Sequence, residues 1–212
     1  MYDVKPGLNN EPKFKARYVA KGYSQVENID YGETFAPTAR MTSIRMLVQL
    51  AIQYDMTVHQ MDVCSAYLNS DIDRDLYVKQ PQGYVKYSKS GEELVCKLQK
   101  SLYGLKQSSR NWNNLLDQYL KNQNFIRSLS DPCLYTKICN SSIIIILIWV
   151  DDIIICANDE NDLFMFKNDL SKRFKMKDIG ILSWFLGIQF NFRDNSISMS
   201  QSNFICKVLD KM

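Results

Sequence analysis

The chain has 212 residues, of which 46% are hydrophobic, 12% aromatic and 23% charged. That balance excludes a disordered chain and is enough for one good-sized core or two small lobes. A formal charge of +3 permits a nucleic-acid partner without requiring one, so the placement of the charges has to decide.

Residues 1–12 carry Pro6, Gly7, Asn9, Asn10 and Pro12 and read as a turn or loop. From Lys13 to Ala20 the pattern alternates. Lys13, Lys15 and Arg17 fall on one parity and Phe14, Ala16 and Tyr18 on the other, which predicts a strand with one basic and one apolar face. Thr42 or Ser43 can cap a helix whose apolar positions are Ile44, Leu47, Val48 and Ala51. Val58–Leu68 predicts a strand bending into a turn. Asp71, Asp73 and Asp75 cluster around Arg74 in a solvated loop.

Short strands are predicted at Leu76–Val78 and Leu94–Leu98, and a helix after Tyr103-Gly104 with Trp112, Leu115, Leu116, Tyr119 and Leu120 on one face. Ile143–Val150 is rich in β-branched residues and suits a buried strand. Leu163, Phe166, Leu170 and Phe174 are spaced for a helix, and short strands follow around Phe185–Phe192 and Ile197–Met199. Strands and helices mix without a strict βαβ alternation, so the fold class expected is α+β.

Cys64, Cys96, Cys133, Cys139, Cys156 and Cys206 form no CxxC pair, and His59 is the one histidine, which argues against a zinc site. Thiols scattered through apolar stretches point to a reducing, intracellular compartment. The first eleven residues hold no apolar signal region. The longest apolar run, Ile143–Val150, is far shorter than the ~20 residues of a membrane span, so no membrane is expected.

The informative segment is IIIILIWVDDIIICA. Asp151 and Asp152 sit inside a strongly apolar hairpin, where two unpaired like charges are costly. A tight turn would let both present oxygens on one side, for a divalent cation to neutralise. A solvent-exposed Asp-Asp turn is the alternative, although the pair lacks the Gly or Asn of the favoured hairpin turns. Asp62 interrupts the apolar VHQMDVCSAYL. Alone it reads as a strand-end aspartate with a local hydrogen bond. With Asp151 and Asp152 it suits a two-metal phosphoryl-transfer site, with ions about 4 Å apart. Magnesium prefers a few carboxylates plus water and substrate phosphates.

The segments KARYVAKGYSQ…IDYGETFAPTAR, VHQMDVCSAYLN, LYGLKQSSRNW, IWVDDIIICA and FLGIQF, in that order, resemble the reverse transcriptases of copia-like LTR retrotransposons, from about Lys13 to the C-terminus. The resemblance implies a right-hand polymerase fold, its antiparallel palm sheet backed by helices. Fingers would be mainly 1–57 and about 75–100, palm mainly 58–74 and about 101–195, and 196–212 the start of a thumb otherwise missing. It implies RNA-directed DNA polymerase activity, with two-metal nucleotidyl transfer from a dNTP to a primer 3′-hydroxyl on an RNA or DNA template. The cofactor would be Mg2+, two ions, with Mn2+ a substitute. Partners would be template-primer, dNTP and the rest of a Pol polyprotein (thumb, RNase H, integrase), in the cytoplasmic virus-like particle of an active element.

The resemblance also implies site roles. Asp62, Asp151 and Asp152 would be catalytic carboxylates and metal ligands, with Val63 offering its backbone carbonyl. Tyr67 resembles the aromatic residue under the nucleotide's sugar, where a ring excludes a 2′-hydroxyl. Simple packing is its other reading. Gly104, Leu105, Lys106 and Gln107 resemble the loop that touches template and nucleotide, and Lys106 and Arg110, four apart, could share a basic helix face. Arg17, rather than Lys15, is favoured for the triphosphate because a guanidinium grips phosphate bidentately. Phe185, Leu186 and Gly187 resemble the primer grip, or else form an ordinary strand and turn. The sequence departs from the family at Trp149, usually tyrosine, at Ser108-Ser109, usually including alanine or proline, and at Cys64, usually polar. Two other readings stay open: a truncated, inactive retroelement remnant that at most binds nucleic acid, and a different two-metal phosphotransferase such as a nuclease.

Overall fold

The computed structural model describes residues 1–6, 11–139, 142–193 and 196–212. The turn expected at Gly7–Asn10 lies outside them, as does the side chain of Lys13. The chain forms two compact units, Met1–Ala36 with Ala66–Asp117, and Pro37–Ser65 with Gln118–Met212. Every pairing between named strands is antiparallel, so the mixed α+β class holds.

The second unit is built on a six-stranded sheet. It runs in the order β10 (Met176–Ile181), β3 (Thr57–Val63), β9 (Asp152–Ala157), β8 (Ser142–Trp149), β7 (Leu134–Cys139) and β6 (Ile126–Arg127). Because residues alternate faces along a strand, Val58 on β3, Ile154 and Cys156 on β9 and Ile145 and Leu147 on β8 share one face. That face joins a core with Ile44, Leu47, Val48 and Ala51 of α1 (Met41–Gln53) and with Phe185, Ile188 and Phe190 of a small sheet. The small sheet is β11 (Trp184–Phe185), β12 (Ile188–Arg193) and β13 (Ser196–Ser200). α3 (Glu160–Arg173) packs on β8 and β9 through Leu163, Phe166 and Leu170. Asp159 caps it by accepting from the Asp162 N–H at 2.9 Å.

The predicted cap of α1 is displaced. Its N-cap is Arg40, which offers no side-chain bond, and Ser43 lies inside the helix. The helix start is served instead by Asp131, 2% exposed, whose Oδ2 accepts from Arg40 N–H (2.9 Å) and Ser43 Oγ (2.5 Å), while Oδ1 accepts from Cys133 N–H (2.9 Å). Burial pushes that carboxyl up. The three hydrogen bonds, with the charge of Arg40, outweigh burial and hold it below its ordinary value. A partner this far along the chain has no local signature.

β10 also escaped prediction. MKDIGI has no apolar alternation, since it is an edge strand with a bulge between Asp178 and Gly180. Tertiary contacts hold it: Lys167 of α3, nearly buried, donates to Asp178 Oδ2 (2.6 Å) and lies 2.8 Å from His59 Nδ1. β7 was likewise not anticipated. The C-terminal stretch holds α4 (Ser202–Leu209), and no helix among the described residues is long and apolar enough to cross a membrane.

In the first unit, residues 2–6 form a strand, β1 (Tyr2–Pro6), where a loop was expected. It pairs with β2 (Pro12–Ala16), which stops four residues short of the predicted Ala20. The apolar face expected on β2 is not buried: Phe14 is 79% exposed and Tyr2 opposite Ala16 is 90% exposed. β4 (Tyr77–Lys79) and β5 (Val95–Lys97) form a second hairpin, and Leu76, Leu102 and Leu105 make a small core. Asp71 and Asp75 pair with Lys100 and Lys97, and Arg74 donates to the carbonyls of Asn28 and Ile29. α2 (Ser108–Asn122) begins in the first unit and ends in the second, and it follows the predicted face, with Trp112, Leu116 and Leu120 buried.

Candidate active site

Asp62 ends β3 one residue early and Asp152 opens β9, and the register pairs them directly. Opposed residues of an antiparallel pair share a face, with Cβ atoms about 4.5–5.5 Å apart. Trp149 closes the β8–β9 hairpin across from Asp152, leaving Val150 and Asp151 as a two-residue turn. Val150 takes φ +57°, the left-handed region that a β-branched residue rarely enters but that two-residue hairpins favour. Such a backbone persists only where its surroundings hold it. Here the Val63 N–H donates to the Asp151 carbonyl at 2.8 Å and ties the turn to the end of β3.

The Asp152 carboxyl is pushed up, first by burial. Gln60 opposes this by donating from Nε2 to Oδ1 at 3.1 Å, and the negative charges of Asp151 and Asp62 add to the rise. The three carboxylates therefore share one electrostatic neighbourhood, although their positions are 62, 151 and 152. Gln60, two residues before Asp62 and so on its face, is 5% exposed, and its Oε1 has no hydrogen-bond partner among the described residues. One strand beyond, the register sets Lys177 of β10 beside Asp62.

Among the described residues no three His, Cys, Asp or Glu side chains form a ready-made metal cage. Magnesium does not ask for one, since it is usually held by one or two carboxylates, waters and substrate phosphates. The donor set is all hard oxygen, its charges repel one another, and a buried amide oxygen is left over. These features fit a divalent cation. Sequence reasoning missed Gln60, which looks like one more strand residue until β9 is laid beside β3.

The remaining candidates lie in other settings. Tyr67 is half-buried in a 3₁₀ turn, Ala66–Asn69. Its phenol shares a 2.8 Å hydrogen bond with Ser109 Oγ, and its ring lies 4.7 Å from that of Tyr103. The Arg17 guanidinium stands 5.9 Å from the Tyr103 ring, and Lys15 is exposed. Gly104 has φ +93°, and a Cβ there would stand 2.1 Å from the Ala20 carbonyl oxygen, so no other residue fits without moving the backbone.

Lys106 precedes α2 and does not share a helix face with Arg110 as expected. Its ammonium donates to the Tyr31 hydroxyl (2.9 Å), whereas Arg110 pairs with Glu33. Gln107 is fully buried. Its Nε2 donates to the Asp30 carbonyl (2.9 Å) and its Oε1 accepts from Gln25 Nε2 (3.0 Å), so both ends of the amide hold the loop in place. Gln25 also accepts from the Lys106 N–H at 2.8 Å, a second residue that sequence reasoning missed.

In the second unit, Leu186 (φ +51°) and Gly187 (φ +77°) form the two-residue turn between β11 and β12, and Phe185 is buried in the core.

The family "Reverse transcriptase (RNA-dependent DNA polymerase)" matches residues 1–212. Among curated proteins, the Retrovirus-related Pol polyprotein from transposon TNT 1-94 of Nicotiana tabacum is 40% identical over 202 residues, 94% of this chain and 15% of its own length. The corresponding polyprotein from transposon RE1 of Arabidopsis thaliana is 40% identical over 197 residues, 93% of this chain and 13% of its own. The putative transposon Ty5-1 protein of Saccharomyces cerevisiae is 34% identical over 148 residues, 69% of this chain and 47% of its own. The chain thus spans a small part of the two polyproteins. No solved structure matches it. With the whole chain covered and the copia-like motifs in order, the protein belongs to the reverse transcriptase family of retrotransposon Pol proteins.

Proposed function

We propose that this chain is the polymerase part of a retrotransposon Pol protein and carries out RNA-directed DNA synthesis, with Asp62, Asp151 and Asp152 as its catalytic carboxylates. The observation that carries this is the register of β3 against β9. It opposes Asp62 to Asp152 and sets Asp151 in the adjoining turn, an all-oxygen set of acidic groups that a divalent cation would neutralise. Divalent cations held there, Mg2+ or Mn2+, would ease deprotonation of a primer 3′-hydroxyl and neutralise the leaving pyrophosphate.

The chain's own residues supply position. Gln60 orients Asp152, the Val63 N–H fixes the turn, and the Val63 carbonyl is the proposed backbone ligand. To the first unit we assign nucleotide recognition: Tyr67 under the sugar, Arg17 and Lys15 toward the triphosphate, Gly104 and Lys106 toward the template. Gln107 acts by holding the Lys106 loop. Phe185, Leu186 and Gly187 are assigned the primer's end. We read the second unit as centred on the palm and the first on the fingers of a right-hand polymerase. Residues 37–57 pack within the aspartate unit, and 66–74 and 101–117 within the other. Template-primer, dNTP and further Pol segments are the proposed partners, in an intracellular particle.

Deoxynucleotide incorporation on an RNA template with a DNA primer tests the proposal, in magnesium and in manganese, with Asp151→Asn and Asp62→Asn beside the parent. Incorporation that both substitutions abolish supports it. A folded parent that binds template-primer without extending it leaves the family and removes the activity.

A further inference from the structure

Tyr67 is held at three points, one on its backbone and two on its side chain, all within the first unit. Its backbone carbonyl accepts from the Ser70 hydroxyl at 2.9 Å and from the Ser70 N–H at 3.2 Å. Its ring packs against Tyr103 at 4.7 Å and 47°. Its hydroxyl meets Ser109 Oγ at 2.8 Å. Ser109 is itself set firmly, in the first turn of α2. The neighbouring Ser108, 1% exposed, donates to the Leu102 carbonyl at 2.6 Å, and Arg110 is tied to Glu33 and to the Phe35 carbonyl. A half-buried tyrosine hydroxyl ordinarily finds a partner, and here the partner is a serine in the first turn of a helix. A half-buried ring whose far end is fixed by a rigid helix start has had its position specified.

We propose that Ser109 is a positioning residue for sugar selection, its hydroxyl holding the Tyr67 ring against the displacement that a ribonucleotide's 2′-hydroxyl would force. The inference rests on the reading of Tyr67 as the residue beneath the nucleotide's sugar. A ring can exclude one oxygen atom only if swinging it aside costs free energy, and the hydrogen bond to Ser109 adds to that cost. Of the Ser108-Ser109 pair, Ser108 is engaged with the Leu102 carbonyl and Ser109 alone meets the phenol. A residue without a hydroxyl at 109 would leave the phenol without this partner.

The test measures kcat/KM for dNTP and for rNTP with the full chain on an RNA template. Ser109→Ala lowers the dNTP-over-rNTP ratio by about 2- to 10-fold, chiefly through better use of rNTP, and Ser109→Thr restores it. Tyr67→Phe lowers the ratio by the same factor, and the double variant falls no further, because both changes remove one bond. Tyr67→Val is the control for the underlying reading. If it leaves the ratio unchanged, Tyr67 does not contact the sugar and that reading fails. If it collapses the ratio while Ser109→Ala keeps the parental value, the reading stands and this inference is overturned. NMR of fluorotyrosine-labelled protein reads the same contact without turnover. The Tyr67 resonance, assigned by its loss in Tyr67→Phe, moves in Ser109→Ala and returns in Ser109→Thr, and a resonance indifferent to both substitutions overturns the inference.

Discussion

The β8–β9 hairpin and the β1–β2 hairpin have the same secondary structure and opposite surroundings. The first runs through the middle of a six-stranded sheet, and from Ile144 to Ile148 and Ile153 to Ala157 every residue is buried. The second is a two-stranded ribbon whose apolar residues Tyr2, Val4 and Phe14 face solvent. Two strands alone are marginal in water, whereas a central hairpin is fixed by neighbours on both edges and both faces. That difference shows where chemistry can be placed. Two adjacent carboxyl groups and a left-handed valine persist at the tip of β8–β9, beside Asp62 on β3, because the ladder below them is over-determined. The opposition of Asp62 to Asp152 is set by backbone register and not by adjustable side chains.

The largest effect is expected at the tip of β8–β9. Asp151→Asn is expected to reduce nucleotide incorporation by at least about 10³-fold, roughly 4 kcal/mol in the barrier, while raising metal-free stability near neutral pH. The sign follows from Asp152. Its folded-state pKa is raised, by burial first and then by Asp151 and Asp62, so it costs stability wherever it is ionised in the folded state. The cost is full above the raised value and vanishes as pH falls below the ordinary carboxylate range. The gain from Asp151→Asn should therefore be present at neutral pH and absent in acid, as urea melts at the two pH values would show. An equal gain at both would mean that charge is not the cause.

Next in size is the support below the tip. Ile154→Ala is expected to cost about 2–5 kcal/mol through lost burial and a cavity. Asp131→Ala should cost about 3 kcal/mol, because Ser43 Oγ and two backbone N–H groups lose their acceptor. Asp131 runs opposite to Asp152 with pH. Its depressed pKa contributes stability above the ordinary carboxylate range that is lost as pH falls through the folded value. A denaturation midpoint unmoved by either substitution would deny that this core holds the site. Smaller still is Val150→Gly. Relief of the left-handed valine, about 1–2 kcal/mol, is offset by glycine's greater chain entropy, about 0.5–1 kcal/mol. A net gain of no more than about 1.5 kcal/mol should accompany lower incorporation, measured in the same melts and primer extensions. At the other hairpin, Phe14→Ser should change stability by less than about 0.5 kcal/mol. A large loss there would erase the contrast.

Legibility in the sequence follows the same division. The apolar runs around Asp151-Asp152 and the helical spacing of Leu163, Phe166, Leu170 and Phe174 were read directly, because these residues are buried on the period their elements impose. The alternation of Lys13–Ala20 predicted a longer strand with a buried face. Period two reports which residues share a side, not whether anything covers that side, and Phe14 is left exposed. MKDIGI carries no period because an edge strand with a bulge buries little, and it is recognised only through Lys167 and the pairing with β3. Gln25, Gln60 and Ser109 were passed over for a related reason: their partners lie 81, 92 and 42 positions away.

From the residues alone came the family, through the ordered motifs, and two readings of Asp151-Asp152, a cation site or an exposed turn, because local pattern shows which residues are apolar but not what gathers around the aspartates. Only the tertiary structure decided which residues meet. Register, a long-range property set by the burial of whole strand faces, opposes Asp62 to Asp152 and places Gln60 on the same face. Side-chain contacts between distant segments decide that Asp131 serves α1, that Gln107 is spent on its own loop, and that Ser109 holds Tyr67. Such contacts form only after the chain has collapsed, when each polar group must find its partner among neighbours that sequence order does not specify.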